Sequence, residues 1–363
     1  MHFTNKEIVD VDVLIVGAGP TGLVLATTLA QAGIKPMIVD RLSTGQNTSR
    51  AAVIHAHTLE VLSSLGVTER LEREGLKVSR FTLRDRDRQL VGLRFDQLPT
   101  RFSHLLMLTQ DVTERVLRDR LAELGVAVQW GCTVDSLIAT EDGVYATLQS
   151  AAGERMLRAR YVIGADGMHS IVRETAGIGF SGATYEDSFV LADVDMQWQH
   201  GHDEVKLFFS PAGLLVVAPL PGGGYRLVAT LDDAPEYPGI ADMQALLDAR
   251  GPTSGGARIT SVQWSSRFHL HHRVADHYRN GRLLLVGDAA HVHSPAGGQG
   301  MNTGMVDAHV LGNMLVEVLS SRREDGYLDQ YETLRRPAAL QVLALAGRLT
   351  SMATMRRLLI SVM

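Results

Sequence analysis

The chain has 363 residues, 45% of them apolar, enough for a large core and for two or three domains of about 100–200 residues. A formal net charge of -5 with no Lys or Arg block argues against nucleic acid as a partner. The lone cysteine, Cys132, excludes an internal disulfide and suits a reducing, cytoplasmic setting, and no apolar run approaches the ~18 residues of a membrane helix.

Met1 to Asp12 is polar and acidic and reads as a tail rather than a signal peptide. Val11 to Val16 is a buried strand ending in Gly17-Ala18-Gly19-Pro20-Thr21-Gly22. Helical apolar spacing follows through Leu23, Ala26 and Leu29 to a stop at Gly33, and Pro36 to Val39 is a second strand ended by Asp40. This is the βαβ setting that a dinucleotide-binding glycine motif requires. Gly17 permits the turn, Gly19 lets backbone approach a pyrophosphate, and Gly22 lets the helix pack close to the strand. The helix that starts at Pro20 offers the free N–H groups of its first turn, from Thr21 on, and a partial positive charge to phosphate. Asp40, with Arg41 beside it, stands where a carboxylate accepts ribose hydroxyls.

His57 to Leu65 is expected as a helix, Phe81 to Phe95 as exposed antiparallel strands, and Asp111 to Leu124 as a helix closed by Gly125. Short strands between Val126 and Val162 lead into a second segment, Gly164-Ala165-Asp166-Gly167. Gly182 to Thr230 is strand-rich, with turns at Pro211-Ala212-Gly213 and Pro221-Gly222-Gly223-Gly224. Arg282 to Val286 is a buried strand that delivers the third segment, Gly287-Asp288-Ala289-Ala290-His291, followed by Pro295-Ala296-Gly297-Gly298-Gln299-Gly300. Helices are expected over Gln299 to Leu319 and Gly326 to Met363, with Pro337 kinking or interrupting the second.

The first loop alone does not separate FAD from NAD; the third does. Asp288, at a strand end, can accept a hydrogen bond from a ribityl or pyrophosphate-side hydroxyl. The small residues Pro295 to Gly298 let a flat ring lie against backbone. The helix starting near Gln299 turns its N–H groups toward the flavin edge that becomes negative on reduction. Three such segments in this order point to bound FAD.

The segments Tyr161 to Gly167 with Ser170 and Arg173, and Gly287 to His291 with Pro295, Gly297, Gly298, Gln299, Gly300, Met301 and Asn302, resemble the class A flavoprotein aromatic hydroxylases, of the para-hydroxybenzoate hydroxylase and phenol hydroxylase type. That group includes aromatic polyketide hydroxylases. Ser49-Arg50-Ala51 with Thr58-Leu59-Glu60 resembles its second FAD-contacting loop, and Gln110 its flavin-side glutamine. The similarity runs from about Val11 to Pro337. Departures are His57 in place of an arginine, Val310 and Asn313 in place of an asparagine and an aromatic, and no thioredoxin-like extension up to Met363. The resemblance implies FAD, NADPH or NADH as a transient reductant, molecular oxygen and an aromatic substrate. It implies reduced flavin meeting oxygen to form a C4a-hydroperoxide whose distal oxygen attacks an electron-rich ring. Same-fold oxidases, reductases and halogenases, or an FAD-binding protein without turnover, are the alternatives; the halogenase Trp-x-Trp-x-Ile-Pro signature is absent.

The expected architecture is α/β: a Rossmann-like FAD-binding domain (1–75, 102–178 and 271–325), an inserted, mainly antiparallel substrate sheet (76–101 and 179–270), and a C-terminal helical segment (326–363). Phe189, Phe208, Val216 and Arg226 are the candidates for lining the substrate pocket. No residue stands out as a base; His293 beside Pro295 is the candidate, weighed against a loop-capping role. The histidine pairs lack Cys or carboxylate partners at ligand spacing, so no metal is expected. A monomer or homodimer is anticipated.

Overall fold

The computed structural model describes residues 8–45, 51–210, 212–231, 233–293 and 298–360. Two large sheets dominate it. The first has the strand order Arg279–Asn280, Leu283–Leu285, Gly153–Gly164, Val9–Val16, Met37–Val39, Val128–Gln129, with Val144–Ser150 and Thr133–Ala139 added antiparallel beside Gly153–Gly164. Its central strands are parallel, and helices Pro20–Gln31, Gln110–Glu123 and Gly300–Leu319 pack with it around one core. Val13, Leu14 and Ile15 are fully buried in the central strand, the continuous apolar run expected of a parallel strand covered on both faces.

Register decides where the loops go. Val16 pairs with Val39 and with Gly164, and Gly164 pairs with Leu285. Four neighbouring parallel strands therefore end at one level. The residues that follow them, Gly17, Asp40, Ala165 and Val286-Gly287, leave the sheet side by side.

The second sheet runs His291–Val292, Arg258–Ala275, Phe180–Gln197, Tyr225–Thr230, Gly213–Pro219, Glu204–Ser210, Arg80–Asp85, Arg88–Arg94. It is antiparallel except between Glu204–Ser210 and Arg80–Asp85, which are parallel. Helix Ile240–Arg250 covers one face, burying Met243, Leu246 and Leu247 against Phe208, Leu215, Leu227 and Ala229. A small sheet of Val53–Ile54, Leu105–Met107 and Leu76–Val78 meets the other face at Val205, Ala218 and Leu220.

Helix Ile240–Arg250 was not expected in the sheet segment, and the last helix also departs from expectation. Helix Gln330–Ile360 runs through Pro337 without interruption. Its first turns are pinned from outside. Tyr331 donates to the Leu285 carbonyl (3.1 Å), Glu332 accepts from the Tyr278 amide (3.0 Å), and Arg335 Nε donates to Asp307 (2.6 Å). These contacts offset the single backbone hydrogen bond that proline removes.

Candidate functional site

The three glycine segments touch one another. A Cβ on Gly17, where φ is +103°, would collide with the Ala165 carbonyl of the second segment, and one on Gly22 would collide with the Gly17 carbonyl. Thr21 wedges beneath the third segment: added carbons on Gly287 (φ +58°) and on Gly304 would both strike its hydroxyl. Gly19 is different, because a Cβ there meets nothing within 4 Å. Gly19 is extended (φ -71°, ψ -178°) and precedes helix Pro20–Gln31, which has Pro20 in its first turn and no side-chain cap. The uncapped N–H groups thus open onto free space, the setting in which a helix N-terminus holds phosphate.

Carboxylates stand on either side of that space. Asp40 accepts from the Ala18 amide (2.7 Å) with one oxygen and the Leu42 amide (2.9 Å) with the other, leaving further lone pairs on each; Arg41 beside it is exposed. Asp288 is exposed in a turn whose neighbours Gly287 and Ala289 are buried, and it has no hydrogen-bond partner among the described residues. An unpartnered carboxylate aimed out of a buried turn beside a glycine cradle fits the sugar-phosphate arm of FAD.

Asn302 ties down Gly298, at the end expected to meet the flavin. Its Oδ1 accepts from the His55 amide (2.8 Å), and its Nδ2 donates to the carbonyls of Val53 (2.9 Å) and Gly298 (2.8 Å). The side chain expected to touch cofactor therefore joins three backbone segments, while the amides of Gly300, Met301 and Asn302 remain in the uncapped first turn of helix Gly300–Leu319. Gly298 (φ +62°) lies against Val53, where any Cβ would overlap the valine. Ala51 and Gln110 are clipped together, the Gln110 amide donating to the Ala51 carbonyl (3.1 Å). Gln110 Nε2 donates to Glu114 (2.8 Å), whose buried carboxyl is pushed up, first by burial.

Asp166 and Arg173 are placed as struts. Asp166 accepts from the Ile171 amide (2.9 Å), and burial pushes its carboxyl up. Gly167 makes the adjoining turn at φ +78°. Arg173 donates to the carbonyls of Ala289 (2.9 Å) and Met168 (2.7 Å) and lies 3.9 Å over the Phe180 ring. The guanidinium thus locks the second segment to the third. His293 packs beside Gly300. Arg50 and Pro295 lie outside the described residues.

The substrate candidates divide between two faces. Phe189 stacks on Phe268 (5.9 Å between ring centroids), and Val216 packs both against the apolar cluster of Phe189, Leu207, Phe209 and Leu214 and against the one that includes Leu105 and Met107 of the small sheet. Arg226 holds Asp193 through two 2.7 Å hydrogen bonds, on strand positions that alternate with the residues under helix Ile240–Arg250. Phe208 corrects the expectation: it points the other way, into the core beneath helix Ile240–Arg250, and cannot share a chamber with Phe189 and Val216. His55 and Glu114 are additions that the chain order did not signal, since His55 meets Asn302 across 247 residues. A groove of about 1150 Å³ lined by Arg160, Tyr161, Arg282 and Asp325 opens near the start of strand Leu283–Leu285, away from the glycine loops. Ligands of such sheets bind beyond the carboxyl ends of the strands, so the loop geometry rather than that groove marks the site. Among the described residues, no cluster of His, Cys, Asp or Glu could hold a metal, and no helix is long and apolar enough to cross a membrane.

The family described as FAD binding domain matches residues 10–346. The chain belongs to that family. Relatives within it include pentachlorophenol 4-monooxygenase of Sphingobium chlorophenolicum, 35% identical over 346 residues, covering 92% of this chain and 63% of that protein. The 6-methylpretetramide 4-monooxygenase of Streptomyces rimosus is 35% identical over 354 residues, covering 95% of this chain and 62% of that protein. The chain thus spans less than two thirds of the length of either. Among solved structures, p-nitrophenol 4-monooxygenase from Pseudomonas putida superposes with a TM-score of 0.85 at 25% identity, covering 94% of this chain and 89% of that one. A ternary complex of aklavinone-11 hydroxylase with FAD and aklavinone superposes with a TM-score of 0.81 at 27% identity, covering 96% and 70%. The fold is that of the FAD-binding aromatic hydroxylases.

Proposed function

We propose that this FAD-binding chain is the catalytic body of a monooxygenase that hydroxylates a phenolic or polycyclic aromatic substrate with NADPH or NADH and molecular oxygen. The observation that carries the reading is the convergence of the three glycine segments at one sheet edge, beside an apolar sheet face. FAD, when bound, would supply the redox chemistry of hydride uptake and of oxygen transfer from dioxygen to an electron-rich ring carbon. The chain's own residues bind, orient and exclude water. Gly17 and Gly22 hold the tight turn in which Gly19 admits the pyrophosphate to the free amides of the first turn of helix Pro20–Gln31, and Asp40 takes the ribose. Asp288 takes the ribityl arm, and the loop with Pro295 and Gly298 backs the flavin ring. The amides of Gly300, Met301 and Asn302 stabilise negative charge at the ring's pyrimidine edge. Phe189, Val216 and the Arg226–Asp193 pair line the aromatic chamber, whose dryness protects the reaction from water. His293, beside Gly300, is the nearest candidate to hold a proton for a phenolic hydroxyl. Segments 1–75, 102–178 and 271–325 serve the cofactor and 76–101 with 179–270 the substrate.

The relatives' named substrates, a chlorinated phenol and polyketide-derived polycycles, set the panel for the test. NAD(P)H oxidation measured with and without each compound should rise several-fold with at least one phenol or polycycle. A rate indifferent to every aromatic would contradict the proposal.

A further inference from the structure

Behind the third glycine segment lies a buried ionic chain that the cofactor contacts do not use. Asp307 and His291 are fully buried, and Asp307 Oδ2 lies 2.5 Å from His291 Nε2. The other oxygen, Oδ1, accepts from Arg335 Nε at 2.6 Å. His291 closes the third glycine segment, Asp307 sits on helix Gly300–Leu319, and Arg335 comes from helix Gln330–Ile360. The His291 ring stacks between Tyr278 (6.2 Å) and His293 (6.3 Å, planes 4° apart), and His293 packs beside Gly300. Neighbouring residues of the same helix grip the same region. Tyr331 holds the Leu285 carbonyl just before Gly287. Arg336 donates to the Ala275 carbonyl (3.2 Å), and the Ala275 amide donates to Ala290 (2.7 Å).

A buried ion pair is weak support for stability by itself, since apolar residues of the same volume often do as well. Here the charges lie where helix Gln330–Ile360 meets the third glycine segment. The His291 Nδ1 and the Tyr278 hydroxyl are buried without a hydrogen-bond partner among the described residues. A polar network only partly satisfied is sensitive to the loss of any member.

We propose that Arg335 is a positioning residue for the cofactor: through Asp307 and His291 it sets the segment Gly287 to His293 and the start of helix Gly300–Leu319, so that docking of the first turns of helix Gln330–Ile360 and binding of FAD are coupled. The inference rests on the FAD reading above and extends it to residues that never touch the flavin. Coupling is reciprocal, so FAD must tighten the helix as much as the helix tightens FAD. Removing the Arg335 cation strips the buried Asp307 carboxylate of its ion-pair partner, leaving it only the His291 contact, behind the helix start that would face the flavin. That raises the free energy of any negative charge on the ring.

The test has two arms. Hydrogen exchange on the wild-type chain, with and without FAD, should show FAD slowing the amides of 331–343. Titration of FAD by fluorescence quenching should give Arg335→Met a Kd about tenfold or more above wild type, within the usual range of such couplings, with Arg335→Lys recovering part of it. The bound flavin of Arg335→Met should also have a more negative reduction potential, which a loss of packing alone would not impose. If wild-type protein binds FAD while those amides exchange unchanged, or if Arg335→Met binds FAD with the wild-type Kd, the coupling is overturned and the cofactor reading stands. Failure of the wild-type chain to bind FAD at all would overturn both.

Discussion

Gly17 and Gly19 are both glycines of one turn, yet they are glycines for opposite reasons. Gly17 has a left-handed φ and a neighbouring carbonyl where a side chain would go, so its constraint lies within the protein. Gly19 has an ordinary extended backbone and empty space, so its constraint lies in what enters that space. Gly19→Val should therefore fold with a wild-type Tm in the flavin-free state and lose FAD binding. Asp288→Ala should fold equally well and bind FAD more weakly by about 1.5–3 kcal/mol, the worth of a hydrogen bond to a charged group. Flavin fluorescence titration beside a melting curve checks both; full flavin occupancy in either variant would contradict the assignment.

Glu114 offers a test with a sign. Burial raises its carboxyl above the ordinary range in the fold, so protonation at Glu114 favours folding and that contribution is lost as pH rises through the raised value. Glu114→Gln keeps the volume and the acceptor for Gln110 while removing the titration. The variant should match wild type under acid and be the more stable above the shifted titration, read from melting curves across pH. A variant less stable than wild type at alkaline pH would mean that the Arg118 guanidinium, 3.9 Å away, outweighs burial.

Among the elements, the strands of the second sheet were the hardest to orient from sequence. Val205 to Phe209 is interrupted only by Lys206, so alternation does not say which residues face the cofactor. The structure resolves it by covering one face with helix Ile240–Arg250. That helix carries a legible signal, Met243, Leu246 and Leu247 at helical spacing with Gly251 as a stop, overshadowed by the strands around it. Phe208→Ala should cost about 3–5 kcal/mol of stability, as deletion of a fully buried ring does, and leave the KM for an aromatic substrate unchanged at a temperature where the variant is folded. A raised KM at unchanged stability would return Phe208 to the substrate chamber. The βαβ unit was legible because buried strand, helix period and acidic strand end agree in a short stretch. Helix Gln330–Ile360 was legible as a helix, but its passage through Pro337 depends on Leu285, Tyr278 and Asp307, which no local pattern connects to it.

For the whole molecule, each glycine segment is a strand-to-turn junction readable by itself. Their adjacency comes from sheet register, which places Val16, Gly164 and Leu285 on one line. The struts that hold them, Arg173 on Ala289 and Asn302 on Val53 and Gly298, join residues too far apart in sequence for spacing to reveal. What results is a row of strand-end loops, proposed to hold the cofactor, backed by one sheet, with the small sheet of Val53–Ile54, Leu105–Met107 and Leu76–Val78 packed on the helix-free face of the other. In that arrangement a ring can be held against a flavin with water kept out. A monooxygenase must place oxygen from dioxygen on the ring. Incubation with NAD(P)H and the phenol and polycycle panel under isotopically labelled dioxygen, followed by mass analysis of the products, tests it directly. One labelled oxygen atom is expected in each hydroxylated product molecule. Steady NAD(P)H oxidation that yields only hydrogen peroxide across the panel would contradict it.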